Sequence, residues 1–247
     1  MDKKYIFLHV PKVAGTTVIN LLPGADPNGC VCPARKPRSH NINEICSLEY
    51  ITPEICSRII EQQYTAKIHH YTIEQYIKSG ILTKDDFKNN FSFTFVRNPF
   101  DRMVSEYLYR LKILEPASED PPWPHHPDGT PHAFPTFNQF VAVVAGLFQE
   151  ASAKEGGLPL HSHMGNHLLG QHEYVQYSDI TIKNIFRYEN FQEDIKKVMD
   201  ILNLKSEVGH FKKSNRNKDY RVYYSPASRN LMEFMYAEDL KLFGYKF

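Results

Sequence analysis

Tyr5-Ile-Phe-Leu-His-Val10, running straight into Pro11-Lys-Val-Ala-Gly-Thr-Thr17, is the stretch on which the fold turns. The first six residues are an apolar run rich in strand formers and stopped by a proline, which predicts a buried strand. Residues 11–17 form a small-residue turn around Gly15, and a helix is expected over 17–22, ended by Pro23-Gly24. A strand that enters such a turn and leaves it as a helix makes a phosphate cradle: backbone N–H groups converge, and the helix N-terminus adds partial positive charge. Lys12 supplies a full charge, and Thr16 and Thr17 supply hydroxyl donors. The plain structural alternative is a strand-to-helix turn with a surface lysine. The pattern is not Gly-x4-Gly-Lys-Ser/Thr, because Lys12 precedes the glycine, and this counts against ATP- or GTP-dependent phosphoryl transfer and an obligatory metal.

Working outward, the chain alternates strands and helices. Strands are expected at residues 66–69, 91–96, 173–177 and 184–188. Helices are expected at 53–63, 73–78, 136–149, 190–202 and 226–242, with Ser225 as N-cap and Pro226 at the first position of the last one. After the third strand, Met103, Val104, Tyr107, Leu108 and Leu111 keep the rhythm of one buried helical face, and Pro99 lies just before that helix. Residues 23–47 show no periodicity, and residues 116–135 are crowded with prolines around Trp123, His125, His126 and His132; both read as irregular loops. This alternation predicts an α/β fold, a P-loop-type central parallel sheet flanked by helices, as a single domain over residues 1–247. Such sheets bind ligands beyond the carboxyl ends of their strands, here just after Val10, Ile68 and Val96.

Composition bounds the function. The net charge is +1 over 247 residues, so no overall field favours nucleic acid or an anionic membrane, and neither is expected as a partner. With 15 Tyr and 16 Phe, the interior should be built on large rings, some of them available to line a groove for a sugar or a base. The apolar runs are too short for a signal peptide or a membrane span, so the chain reads as soluble and cytoplasmic. Its four cysteines, Cys30, Cys32, Cys46 and Cys56, fit no familiar zinc spacing and read as ordinary thiols.

The second chemical element is Arg97-Asn-Pro-Phe-Asp-Arg-Met-Val-Ser105. An arginine fork at a strand end, with a hydroxyl two turns into the next helix, can grip a phosphate dianion in one orientation. Taken alone, Arg97 reads equally as a salt-bridging residue and Ser105 as a small packing residue.

Together the two segments resemble the carbohydrate sulfotransferases that use 3′-phosphoadenosine 5′-phosphosulfate (PAPS), the family 2 type that includes heparan sulfate 2-O-sulfotransferases. The family's 5′-phosphosulfate loop is matched by Pro11, Lys12, Val13, Ala14, Gly15, Thr16 and Thr17. Its 3′-phosphate element, Arg-Asn/Asp-Pro-x-Asp/Glu-Arg-x-x-Ser, is matched from Arg97 to Ser105 with every spacing kept. The later Phe186-Arg-Tyr-Glu-Asn-Phe-Gln-Glu-Asp194 and the ending from Tyr223 to Tyr245 also resemble the family. His210-Phe-Lys-Lys-Ser214 is similar to its nucleotide-closing loop, with Lys212 where Asn is common, so Lys212, Lys213 and Ser214 are expected at the donor.

The resemblance implies PAPS as donor co-substrate, 3′-phosphoadenosine 5′-phosphate (PAP) as product, no metal, and a carbohydrate or other hydroxyl-bearing acceptor. It also implies a histidine base after the second strand: His70, which keeps a His-x-Thr pattern with Thr72, or else His69. Imidazole suits that role at neutral pH; a histidine pair at a strand end is otherwise ordinary polar surface. His161, His163, His167 and His172 are close in sequence but not in a standard ligand spacing, and read as acceptor-groove or loop surface. Gly165-Asn166 is the counterpart of a Pro-Gln pair found near this point in the family. Two rivals remain from the sequence: a non-catalytic nucleotide- or glycan-binding protein of the same fold, and a P-loop kinase.

Overall fold

A computed structural model describes residues 5–21, 30–31, 70–113, 136–152, 163–204 and 216–247. The expected helix at 53–63, the strand at 66–69, the 116–135 loop, and His69, Lys212, Lys213 and Ser214 lie outside the described residues. The chain divides into two compact units, Met1–Val96 with Gln171–Lys213, and Arg97–Gly170 with Ser214–Phe247.

The first unit is built on a parallel sheet. Strands β1 (Tyr5–Leu8), β2 (Cys30–Val31), β3 (Phe91–Val96) and β6 (Asn184–Arg187) lie in the order β2-β1-β3-β6, all paired in parallel. All four residues of β1 are buried, as a strand covered on both faces requires. Phe7 stands opposite Phe93, and Phe95 opposite Phe186. Their rings meet at 5.1 and 5.5 Å, so these four rings form a row along one face of the sheet. Cross-strand ring pairs of this kind hold register. The same row ends on Phe191 at 5.1 Å from Phe95, the first residue of α7 (Phe191–Ile201).

Helix α1 (Gly15–Leu21) follows the loop that leaves β1. It starts two residues earlier than the sequence indicates, because the Ala14 carbonyl already accepts from the N–H groups of Thr17 and Val18. Helices α2 (Ile73–Lys78) and α3 (Lys84–Asn89) are each opened by a threonine capping box, Thr72 with Gln75 and Thr83 with Asp86, which satisfies two orphan donors apiece. Strand β2 falls inside the 23–47 segment expected to be loop throughout; two residues, paired with Tyr5 and Ile6, carry no readable period. The strand expected at 173–177 is likewise corrected. Residues Gln171–Tyr174 form a 3-10 turn, and only β4 (Gln176–Tyr177) is extended, antiparallel to β5 (Ile180–Thr181).

The second unit is helical. In α4 (Pro99–Ile113), Phe100, Met103, Val104 and Tyr107 are buried. Leu111, expected on that face, is 37% exposed. Pro99 is the first helical residue, and Asn98 caps the helix by accepting the Phe100 N–H at 3.0 Å. The core joins α4 to Phe137, Phe140, Val141 and Val144 of α5 (Phe137–Ser152), Leu168 of α6 (His163–Leu168), and Met232 and Tyr236. Ser225 caps α8 (Pro226–Met235) as expected. The single helix predicted over 226–242 is instead two, with α9 (Ala237–Phe243) starting after Tyr236 at φ −115° and ψ 27°. Tyr236 is 1% exposed and its hydroxyl donates to the Leu168 carbonyl at 2.7 Å, a tertiary bond that the helical period cannot foretell. No helix among the described residues is long and apolar enough to cross a membrane.

Candidate active site

The loop between β1 and α1 turns by means of two left-handed residues, Lys12 at φ 66° and Ala14 at φ 68°. Neither is glycine, and L-residues avoid this region because Cβ crowds the following carbonyl. The strain sits where the first N–H groups of α1 have no helical carbonyl to bond. Replacing Ala14 with glycine should relieve it. Set against the entropy glycine adds to the unfolded chain, the net gain is about 0.5–1 kcal/mol. Calorimetry should then find a midpoint roughly 1–4 °C higher; a lower midpoint would contradict the left-handed turn.

Two histidines stand at this loop. His9 follows β1 by one residue and is 7% exposed; His70 is 5% exposed. His70 Nδ1 lies 3.1 Å from the His9 carbonyl oxygen. A carbonyl only accepts, so Nδ1 carries the proton and donates it, leaving Nε2 as the basic nitrogen of neutral His70. The His70 carbonyl in turn accepts from the Tyr174 hydroxyl at 3.1 Å. Thr72, the threonine of the His-x-Thr pattern, is the N-cap of α2; it fixes the chain two residues beyond the imidazole. The rings of His9 and His70 are 4.3 Å apart, and His9 stacks on Phe7 at 5.7 Å and 19°, continuing the aromatic row up to the loop.

In the second unit, Arg97 follows directly on the last residue of β3 and its side chain is 4% exposed. Its Nε and Nη2 donate to Asp101 Oδ2 at 2.8 and 2.6 Å. Asp101 Oδ1 accepts from Arg216 Nη2 at 2.5 Å. Among the described residues, one carboxylate thus serves two guanidinium groups at a place with little solvent. Arg216 Nη1 is buried without a hydrogen-bond partner among the described residues, a donor that an anion would satisfy. Ser105 is half-buried one helical turn beyond Asp101, on the same side of α4.

The other polar residues of the Arg97–Ser105 motif are structural. Asn98 Nδ2 donates to the Lys246 carbonyl at 2.9 Å and to the Tyr220 hydroxyl at 3.1 Å. Arg102 donates to the carbonyls of His167 and Leu169 at 3.3 and 2.6 Å, closing the end of α6. His167, expected at a groove or loop surface, is 6% exposed, with Nδ1 at 2.9 Å from Glu106 Oε2. Glu106 Oε1 takes the Nε of Arg110 at 2.6 Å. Removing one member of such a buried network strands a charge, which costs about 3–5 kcal/mol. Glu106→Gln should therefore lower the denaturation midpoint far more than an exposed change such as Glu233→Gln. Equal midpoints would show that the network carries no such weight.

Sequence reading singled out Lys12, Gly15, His70, Arg97 and Ser105 and the structure places each in one of these two groups. It missed His9, Asp101 and Arg216. Asp101 had a signal, an acid four residues after Arg97 in the first turn of a helix. Arg216, which follows Arg97 by more than a hundred residues, had none.

A parallel sheet flanked by helices thus carries, in an α/β fold, a strand–loop–helix turn with a buried histidine beside it. The model of the sulfotransferase family matches residues 1–246, and the chain belongs to that family. No curated protein matches the sequence. Among solved structures, a sulfotransferase from Alicyclobacillus acidocaldarius is similar at 9% identity and a TM-score of 0.45, over 100% of this chain and 98% of that one.

Proposed function

We propose that the protein transfers the sulfuryl group of PAPS to a hydroxyl of a carbohydrate acceptor. The observation that carries the donor is the buried cluster of Arg97, Asp101 and Arg216, in which Arg216 Nη1 is left without a hydrogen-bond partner among the described residues. The loop from Pro11 to Thr17 takes the 5′-phosphosulfate, and Arg97, Ser105 and Arg216 take the 3′-phosphate, which ATP lacks. Lys212, Lys213 and Ser214 complete the nucleotide contacts by resemblance to the family loop.

The reaction is an in-line displacement. The acceptor oxygen forms a bond to sulfur while the bond from sulfur to the 5′-phosphate oxygen breaks, and PAP departs. His70 Nε2 receives the hydroxyl proton, and the His9 carbonyl holds the imidazole in the tautomer that can do so. Lys12 and the loop N–H groups meet the charge that grows on the departing phosphate oxygen, where fixed donors are most effective. No residue in this scheme requires a metal.

Thermal unfolding with PAP, against ATP and Mg²⁺, tests the donor. At about a hundred times its dissociation constant PAP should add roughly 2.7 kcal/mol, a rise of roughly 5–10 °C, and Arg97→Ala should abolish it. Stabilisation by ATP with Mg²⁺ instead would favour a kinase. A protein that binds PAP but never moves radiolabelled sulfate from PAPS would be the non-catalytic member of the fold.

A further inference from the structure

Gly15 is the first residue of α1 and lies outside the left-handed region, where Gly80 and Gly244 are the positive-φ glycines. Its backbone therefore does not demand glycine. Its surroundings do. A Cβ built on Gly15 would fall 1.7 Å from His9 Nε2, 1.9 Å from Cδ2 and 2.5 Å from Cε1. The imidazole lies across the bare Cα of the loop glycine. It has little room to retreat, because Phe7 stacks on it and the His70 ring is 4.3 Å away.

We propose that His9 is a positioning residue for sulfuryl transfer, seated by Gly15: the missing side chain at position 15 makes room for the His9 ring, which backs the imidazole of His70. The inference rests on the reading of His70 as the base. One residue then ties the two working parts of this unit together. The His9 carbonyl keeps the His70 proton on Nδ1, and the His9 ring sets the spacing between the base and the loop that cradles the phosphosulfate. The glycine of the loop serves the base as well as the phosphate. A methyl group at residue 15 would push the His9 ring toward His70 and displace the nitrogen that takes the proton.

The test is a mutant cycle on the full chain, comparing wild type, Gly15→Ala, His9→Ala and the double variant. Thermal unfolding without nucleotide reads the contact. Gly15→Ala alone should lose roughly 4–10 °C by overpacking, whereas the same change in the His9→Ala background should cost about 2 °C or less. Long-range proton–nitrogen spectra of the imidazoles, with the His70 signals assigned by their loss in His70→Gln, read the positioning. Gly15→Ala should shift the His70 signals away from the Nδ1–H pattern; His9→Ala, which removes the backing ring, should shift them as well, and adding Gly15→Ala to it should shift them no further. A mere packing contact would move the midpoint and leave that pattern intact. If Gly15→Ala does not fold, the double variant still must. A Gly15→Ala protein with wild-type midpoint and His70 signals overturns the proposal, as does a His9→Ala protein with wild-type His70 signals, or a double variant whose midpoint falls below that of His9→Ala by as much as Gly15→Ala falls below wild type. PAP titration of the wild type is scored separately: failure to bind removes the PAPS reading and leaves both readouts of the cycle standing.

Discussion

Replacing His70 with alanine is expected to lower the rate of acceptor sulfation by about 10²–10⁴-fold, the usual worth of a placed general base, while PAP binding stays near wild type. The two ring nitrogens have different partners. Nδ1 is committed to a backbone carbonyl, so only Nε2 can accept a proton, and the ring is 5% exposed, so bulk water does not readily replace it. Alanine removes the base and the hydrogen bond together. Asparagine separates them: its amide N–H can take the place of Nδ1–H at the His9 carbonyl, but it offers no basic nitrogen. His70→Asn should therefore be close to wild type in unfolding midpoint and as slow as His70→Ala in transfer. An asparagine variant that retained turnover would assign His70 a structural role and pass the base to His69 or elsewhere.

The fold was legible where a strand or helix carries its own period. The strand expected at 91–96 is β3 (Phe91–Val96), and the helical turn expected from Ile73 to Lys78 is α2. Legibility failed where tertiary contacts decide. Helix α3 is six residues with one buried side chain, Phe87, too little to announce itself. The break at Tyr236 follows from a buried hydroxyl reaching α6. Leu111 keeps the apolar rhythm of α4 and is nonetheless 37% exposed, because periodicity gives the side of the helix and not how far its neighbours extend along it.

The site was legible as motifs and not as geometry. Strand–Pro-Lys–Gly-Thr-Thr and Arg-Asn-Pro-x-Asp-Arg-x-x-Ser are local patterns, so Lys12 and Arg97 could be named from residue types and spacing. That Asp101 occupies the Nε edge of Arg97, and that Arg216 joins it from the far end of the chain, are long-range facts. The motif's two arginines also look equivalent in sequence. Arg97 shares the Asp101 carboxylate with Arg216, whereas Arg102 spends two N–H groups on the carbonyls of His167 and Leu169. His9 was in plain view within the first motif, but its meaning depends on a glycine six residues later and on a histidine sixty-one residues away.

Lys12→Ala should lower turnover by about 10²–10³-fold, the range for losing one preorganised donor to a developing charge, with a much smaller loss of PAP affinity. The distinction follows from when the charge appears. Before transfer the 5′-phosphate shares its bridging oxygen with sulfur; as that bond breaks, the oxygen gains negative charge, and an ammonium group fixed beside it gains most of its interaction then. Lys12 is also one of the two strained residues of the loop, at φ 66°, so alanine and glycine substitutions differ usefully. Both remove the ammonium group, but glycine relieves the left-handed backbone and should be the more stable variant by about 1 kcal/mol. If charge is what matters, the two variants are equally slow in single-turnover release of PAP from PAPS. If the loop's shape is what matters, Lys12→Gly keeps much of the turnover, and the leaving-group role moves to the backbone N–H groups at the start of α1.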